Sequence, residues 1–436
     1  MKYVYVAGGN SMDIDMEHAI TKQTGFALYS LIHGLKQKKF GLHTIEGVAY
    51  DIRQFIAMFI QPVGGMLVAD SGGYSFIKGD IPPWLLDMLI DCYCVYLESE
   101  WKHFDYIFSL DIPFSLKYSN FNTVVNVYNA NKKSLVALRE ILEKTPELRE
   151  KLYFVWHFKM PEQFAIWKHL YKELELHRFV RNHAIGGMVG IKKAARIKFT
   201  PFTSMGLYTL QAYLESQFVG EQFRLHFLGI YAPYDRFHIA FLQALFRKYL
   251  AGIAEVEMSY DSINPIHTVR MNAPLPLYHL AGDRIEVFPS LLDVSADMLR
   301  NVTANENHAR KLLLEMDRRR KGLRLDNSAA FSPINVFSNL ELDRFFEMIV
   351  ERYDLVGEMD RSSSPTNFMG RLDRIFGDIQ QKYPGVFTPH MKKCIKLTLD
   401  HAWIWHRWFV NSRDQGKLDW YMAQAINQIG FPGRLA

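Results

Sequence analysis

The feature that most constrains this chain is a repeated unit. A short apolar run stops abruptly at Gly or a polar residue, and a stretch with helical patterning follows. The runs cover residues 4–7 before Gly8-Gly9, 66–69 before Asp70-Ser71-Gly72-Gly73, 106–110 ending at Asp111, and 152–156 before His157. Residues 184–185 before Gly186-Gly187, 225–228 before Gly229, and 256–260 before Asp261-Ser262 complete the series. Residues 129–143 and 161–175 are two of the intervening helical stretches. Parallel strands covered on both faces read as continuous apolar runs, and each needs a long crossover, usually a helix. Seven such units predict a (β/α)8 TIM barrel, an α/β fold. A doubly wound open sheet meets the same pattern and stays as the alternative. In both folds functional groups gather at the carboxyl ends of the strands. Here those ends carry Asp70, Asp111, His157, Gly186-Gly187 and Asp261.

The pattern changes after about residue 275, so we expect a catalytic barrel over residues 1–290 and a mainly helical region over 291–436 that binds nucleic acid or a partner. Residues 307–324 form a basic amphipathic stretch. Net charge is only +5, from 51 Lys+Arg against 46 Asp+Glu, so any nucleic-acid footprint must be local. Arg318, Arg319 and Arg320 are the candidate phosphate contacts; a solvated helix face accounts for them equally well. Trp403, Trp405 and Trp408 suit either a packed core or stacking on unpaired bases. The three cysteines are too few and too scattered for a disulfide framework and suit a reducing compartment. No run of 18 apolar residues occurs, and the first residues lack a secretory pattern, so the expectation is a cytoplasmic protein without a membrane span.

Asp70, Asp111 and Asp261 each follow an apolar run, so a barrel would bring them to one mouth. Convergent carboxylates repel, which raises some pKa values and separates acid from base roles. Such a pair suits substitution at a sugar anomeric carbon, one carboxylate attacking and the other handling the leaving group's proton. Taken singly, each Asp is equally a helix N-cap. Adjacent glycines, at Gly72-Gly73 and Gly186-Gly187, let backbone N–H groups approach a flat ligand on which Tyr74 could stack; an ordinary Gly-rich turn has the same pattern.

Together these motifs resemble the tRNA-guanine transglycosylase superfamily. Asp70-Ser71-Gly72-Gly73-Tyr74 is similar to its DSGG-aromatic motif, and Ala184-Ile185-Gly186-Gly187-Met188-Val189-Gly190 to its IGG-hydrophobic-x-G motif. His226-Phe227-Leu228-Gly229-Ile230 is similar to its YLMGV strand, and Asp261-Ser262-Ile263-Asn264-Pro265 to the segment around its nucleophile. The order agrees, over roughly residues 60–275. The resemblance implies that Asp261 attacks C1′ of a nucleoside, that Asp70 is the general acid/base, and that Asp111 reads the guanine-like edge. It further implies that Ser71, Gly72, Gly73, His157, Gly186, Gly187 and Met188 border the base, with Tyr74 and Leu228 on its two faces. No cofactor is needed for that chemistry.

The chain also departs from the family. His157-Phe158 stands where members have Gln-Gly, and Ile266-His267 where they have Thr-Arg. The CxCxxC…His zinc set is absent, so no metal is expected. His390, Cys394 and His401 are the only candidates for a rebuilt site, and a helix face explains their spacing as well. These absences look most like the DNA-acting DpdA-type 7-deazaguanine transglycosylases. The implied reaction is exchange of guanine in DNA for a preQ0-like base, with room for a helper protein of a DNA-modification system. A tRNA enzyme with a divergent C-terminal region and a non-catalytic nucleic-acid-binding subunit remain as alternatives.

Overall fold

The computed structural model describes residues 1–6, 14–30, 45–72, 86–113, 123–157, 161–187, 202–262, 276–294, 296–323, 328–399 and 402–411. Eight parallel strands close a barrel: β1 (Lys2–Val6), β2 (Phe26–Ser30), β3 (Met66–Asp70), β4 (Tyr106–Phe108), β5 (Leu152–His157), β6 (Asn182–Gly186), β7 (Phe223–Phe227) and β8 (Val256–Ser262). β8 returns to β1, with Val4 opposite Asp261. The helices that follow the first seven strands are α1 (Ile14–Thr24), α2 (Ile45–Phe55), α3 (Leu86–Glu100), α4 (Val124–Lys144), α5 (Pro161–Glu173), α6 (Phe202–Leu214) and α7 (Pro233–Tyr249). The closed α/β barrel is therefore the observed fold, and the open sheet is not.

Strand alternation sorts the apolar residues into two layers. Val4, Phe26, Leu28, Val68, Phe108, Tyr153, Val155 and Ala184 fill the barrel interior as one cluster. Their neighbours Tyr3, Leu67, Ile107, Phe154, Trp156, Ile185 and Tyr260 face the helices. β2 is absent from the runs read in the sequence. Its segment, Phe-Ala-Leu-Tyr-Ser, ends on half-buried Tyr29 and Ser30 and carries no Gly-rich stop to announce it.

Beyond β8 the chain forms a hairpin that the apolar pattern did not predict, β9 (Leu277–Ala281) and β10 (Arg284–Phe288). Helices α8 (Ala296–Val302), α9 (Glu306–Arg320), α10 (Ser332–Arg352), α11 (Leu355–Asp360), α12 (Pro365–Lys382), α13 (Pro389–Leu399) and α14 (Ala402–Asn411) follow. α10 lies between α7 and α1 and completes the outer ring of the barrel. A division at residue 290 would therefore separate the ring from its closing helix. α10 also covers the hairpin's edge: Tyr278 N–H donates to Ser338 Oγ at 2.7 Å and Leu280 N–H to Glu341 Oε2 at 2.9 Å. Sandwiched between the strands and the C-terminal helices, α7 is buried continuously from Asp235 to Gln243. In the tail, Trp403 Nε1–H donates to the carbonyls of Met359 and Ser362, both at 3.2 Å, and Trp405 is buried. These two rings are packing elements, not stacking platforms.

A buried ion pair locks α10 to α7. Arg236 Nε–H donates to Asp343 Oδ1 at 2.7 Å, Tyr260 donates its hydroxyl to Asp343 Oδ2, and the Arg236 guanidinium lies 5.7 Å from the Tyr260 ring centre. Removing one partner leaves an uncompensated charge in the interior. Asp343→Leu is thus expected to lower stability by about 3 kcal/mol, read as a reduced urea midpoint at unchanged slope.

Candidate active site

The inward positions of five strands decide what lines the mouth. Val68, Val155 and Ala184 point into the interior, so Asp70, His157 and Gly186, two residues further on, do as well. On β7 and β8, Leu225 and Tyr260 face outward, so His226, Leu228, Ser259 and Asp261 face inward. Strand register matches their heights, with Asp70 opposite Ser30, Gly186 opposite His157 and Ser259 opposite His226.

Asp70 sits between two other carboxylates. Burial first, then the charge of Asp111 and then that of Asp261, push its pKa up from 3.8 to about 7; the Gly72 N–H, 3.0 Å from Oδ2, works in the opposite direction. Asp70, Asp111 and Asp261 thus share one mouth, and Asp70 is poised for proton transfer near neutral pH. The Gly72 contact is a local Asx turn, and it coexists with the cluster.

Asp111 is buried and held from several sides. Ser71 Oγ–H donates to Oδ1 at 3.1 Å, and His157 Nδ1 lies 2.6 Å from Oδ2. The following backbone is pinned by Asn131 of α4, whose Oδ1 accepts from Ile112 N–H and whose Nδ2 donates to the Ile112 carbonyl, both at 2.9 Å. Tyr93 of α3 donates to the Phe108 carbonyl at 2.7 Å; burial, and further the charges of Asp70 and Asp111, hold its phenol well above its usual value. His157 Nε2 is buried and has no hydrogen-bond partner among the described residues. Buried ring nitrogens are ordinarily hydrogen-bonded, so this position is a candidate contact point of the site.

Asp261 is fixed by β7. Its Oδ1 accepts from Gly229 N–H at 2.9 Å and lies 3.1 Å from His226 Nε2. Gly229 has φ +73°, the left-handed turn that aims its N–H back at β8. Behind it, Tyr3 donates to the Ser262 carbonyl and its phenol is pushed up by burial and then by the Asp261 charge.

A side chain at Gly186 would come within 3.2 Å of Val155, 3.3 Å of His157 Nδ1 and 3.3 Å of Leu228 Cδ1, so the end of β6 packs closely against these three side chains. Leu228 is half-buried against the interior cluster. The structure therefore brings together Asp70, Ser71, Gly72, Asp111, His157, Gly186, Leu228 and Asp261, with Gly187 following directly on the end of β6. Gly73, Tyr74 and Met188 lie outside the described residues.

Other expectations fare differently. Arg318, Arg319 and Arg320 form the last turn of α9, where cations offset the helix dipole, and the structure does not bring them to the carboxylates. The opposite end of α9 is tied to the first turn of α1, with Asp15 accepting from Asn305 and Asn307, both at 2.7 Å. The phosphate contact expected from the sequence is tested by replacing the three arginines together with Ala: weaker binding to nucleic acid with a flatter salt dependence supports it, and an unchanged slope of log affinity against log salt refutes it. Among the described residues no three His, Cys, Asp or Glu side chains are grouped to hold a metal. Cys394 Sγ lies 3.6 Å from His390 Nε2, and His401 is outside the described residues. Burial first, then Asp91, pushes the Cys94 thiol up to about 12, away from the thiolate that metals and oxidants require. No described helix is long and apolar enough to cross a membrane.

Sequence reasoning overlooked His226, Ser259, Asn131 and Tyr93. The first two are polar residues at inward positions of their strands, but Arg224 and Glu257 stand at inward positions of the same strands, so polarity alone did not single them out. Asn131 and Tyr93 lie on helices far along the chain from the groups they support, and no local pattern marks them. No protein-family model matches this chain, and no curated protein is significantly similar to it.

Proposed function

We propose that this protein is a transglycosylase that exchanges guanine in DNA for a 7-deazaguanine base through a covalent glycosyl-Asp261 intermediate. The observation that carries the reading is the meeting of Asp70, Asp111 and Asp261 at one barrel mouth, with Asp70 raised to about 7. A carboxyl tuned to neutrality beside a second, hydrogen-bonded carboxylate is the arrangement that double displacement at an anomeric carbon needs.

The nucleotide must first leave its stack, since C1′ is out of reach within a duplex. Asp261 attacks C1′ as the bond from C1′ to the base nitrogen breaks, and Asp70 delivers its proton to the departing base. The incoming base then surrenders its N–H proton to the Asp70 carboxylate, its nitrogen attacks C1′, and the bond to Asp261 breaks. Two inversions return the original configuration, and no redox or energy-carrying group takes part. The edge of the base faces Asp111 and His157, beside the end of β6 at Gly186. With Asp111 accepting from Nδ1–H, His157 presents its Nε2 to the polar edge of the base. The resemblance to DNA-acting transglycosylases and the missing zinc set favour DNA as the polymer.

The test is incorporation of radiolabelled preQ0 into duplex DNA, single-stranded DNA and bulk tRNA in parallel. Label in DNA is the expected result. Label confined to tRNA overturns the polymer, and label in none overturns the exchange reaction.

A further inference from the structure

We infer that His226 is the positioning residue for the nucleophile: braced by Ser259, its ring binds one oxygen of Asp261 and leaves the other to attack. The inference rests on the transglycosylase reading and adds to it a residue that no motif assigns.

The geometry follows from the strands. His226 of β7 is in register with Ser259 of β8, and Asp261 is the next inward residue along β8. A single imidazole therefore spans both: Nδ1 lies 2.8 Å from Ser259 Oγ and Nε2 lies 3.1 Å from Asp261 Oδ1. The ring is buried, and the Phe108 and Tyr153 rings, at centroid distances of 4.6 and 6.4 Å, fix its plane from within the barrel. A lone pair on Nε2 facing a carboxylate oxygen would be repulsive, so Nε2 carries the proton. The Asp261 carboxylate, which can only accept, thus selects the tautomer, and the Ser259 hydroxyl, which rotates to suit, donates to the Nδ1 lone pair that remains.

The consequence is asymmetry in the carboxylate. Oδ1 receives two donors, His226 Nε2–H and Gly229 N–H, while no described residue donates to Oδ2. Donors withdraw electron density from the oxygen they bind, so Oδ2 keeps the more available lone pairs, and the fixed Oδ1 prevents the group from rotating away from C1′. Misplacing a reacting atom by about 1 Å costs on the order of 100-fold in rate.

Two measurements test this. The first needs no substrate: nitrogen-15 spectra of the histidine rings in the full chain, with the His226 signal identified by its loss in His226→Gln. The expected state is a protonated Nε2 and an unprotonated Nδ1, perturbed by Asp261→Asn and by Ser259→Ala. A ring protonated on Nδ1, alone or with Nε2, overturns the inference. The second compares single-turnover formation of the covalent intermediate with affinity for free preQ0. His226→Leu is expected to slow the covalent step about 100-fold and leave base affinity unchanged, and His226→Gln, whose side-chain amide can donate to the same oxygen, to recover all but about tenfold. Equal rates for the Leu and wild-type proteins, or no advantage of Gln over Leu, overturn it. Absence of exchange by the wild type defeats the transglycosylase reading, and the tautomer measurement then still decides whether His226 grips Asp261.

Discussion

Asp261→Asn is expected to reduce base exchange by about 10⁴-fold or more while the protein folds as before. The amide oxygen takes the place of Oδ1 and accepts from Gly229 N–H and His226, so both tethers to β7 survive. The amide nitrogen stands where Oδ2 was, and it has no lone pair with which to form an ester-like bond to C1′. The loss should therefore fall on the covalent step: no glycosyl-enzyme is trapped by acid quench, and the affinity for free preQ0 changes little. Thermal unfolding at an unchanged midpoint distinguishes this result from misfolding. A variant that still accumulates the covalent species would mean that another group attacks.

Asp70→Asn is expected to cost about 10²–10⁴-fold in exchange and, unlike the first variant, to stabilise the protein in alkaline solution. Burial and the charges of Asp111 and Asp261 make ionised Asp70 unfavourable in the fold. Its folded pKa of about 7 lies above the unfolded value of 3.8, so the native state binds this proton more tightly than the unfolded chain does. That contribution is fully present below about pH 4 and is lost as pH rises through about 7. The loss is about 2 kcal/mol, once allowance is made for solvent reaching the open side of the mouth. Asn carries no titrating proton and removes this part of the decline, so the variant should unfold later than the wild type at pH 8 and gain less at pH 5. Wild-type exchange should peak near pH 7, because release of the first base needs the acid form and capture of the second needs the carboxylate. A flat wild-type profile from pH 5.5 to 8.5 would remove Asp70 from the proton path.

Much of the architecture was legible before any coordinates. Runs such as Leu152–His157 are apolar at every position but the last because both faces of the strand are covered, and that continuity exposes the polar residue at the end. Asp70, Asp111, His157 and Asp261 could be picked out for this reason alone. β2 could not, because Phe26–Ser30 finishes in half-buried residues without a glycine stop. Nor could the role of α10, since α7 and α1 meet it only after the ring has closed, and its buried residues, Ser332, Asn335, Glu341 and Asp343 among them, mark no single apolar face.

The amino-acid sequence by itself determined which side chains end the strands and, through the period of two, which of them enter the barrel. Those are local properties, set by steric alternation and the burial of apolar runs. Only the tertiary structure decided what those side chains touch: that β7 and β8 pair in the register that lets His226 span Ser259 and Asp261, that Ser71 and His157 divide the oxygens of Asp111, and that burial, with the charges of Asp111 and Asp261, carries Asp70 to about 7. Register between strands and the electric field at a point depend on the closure of the whole ring, and no stretch of chain short enough to be read as a motif contains that information.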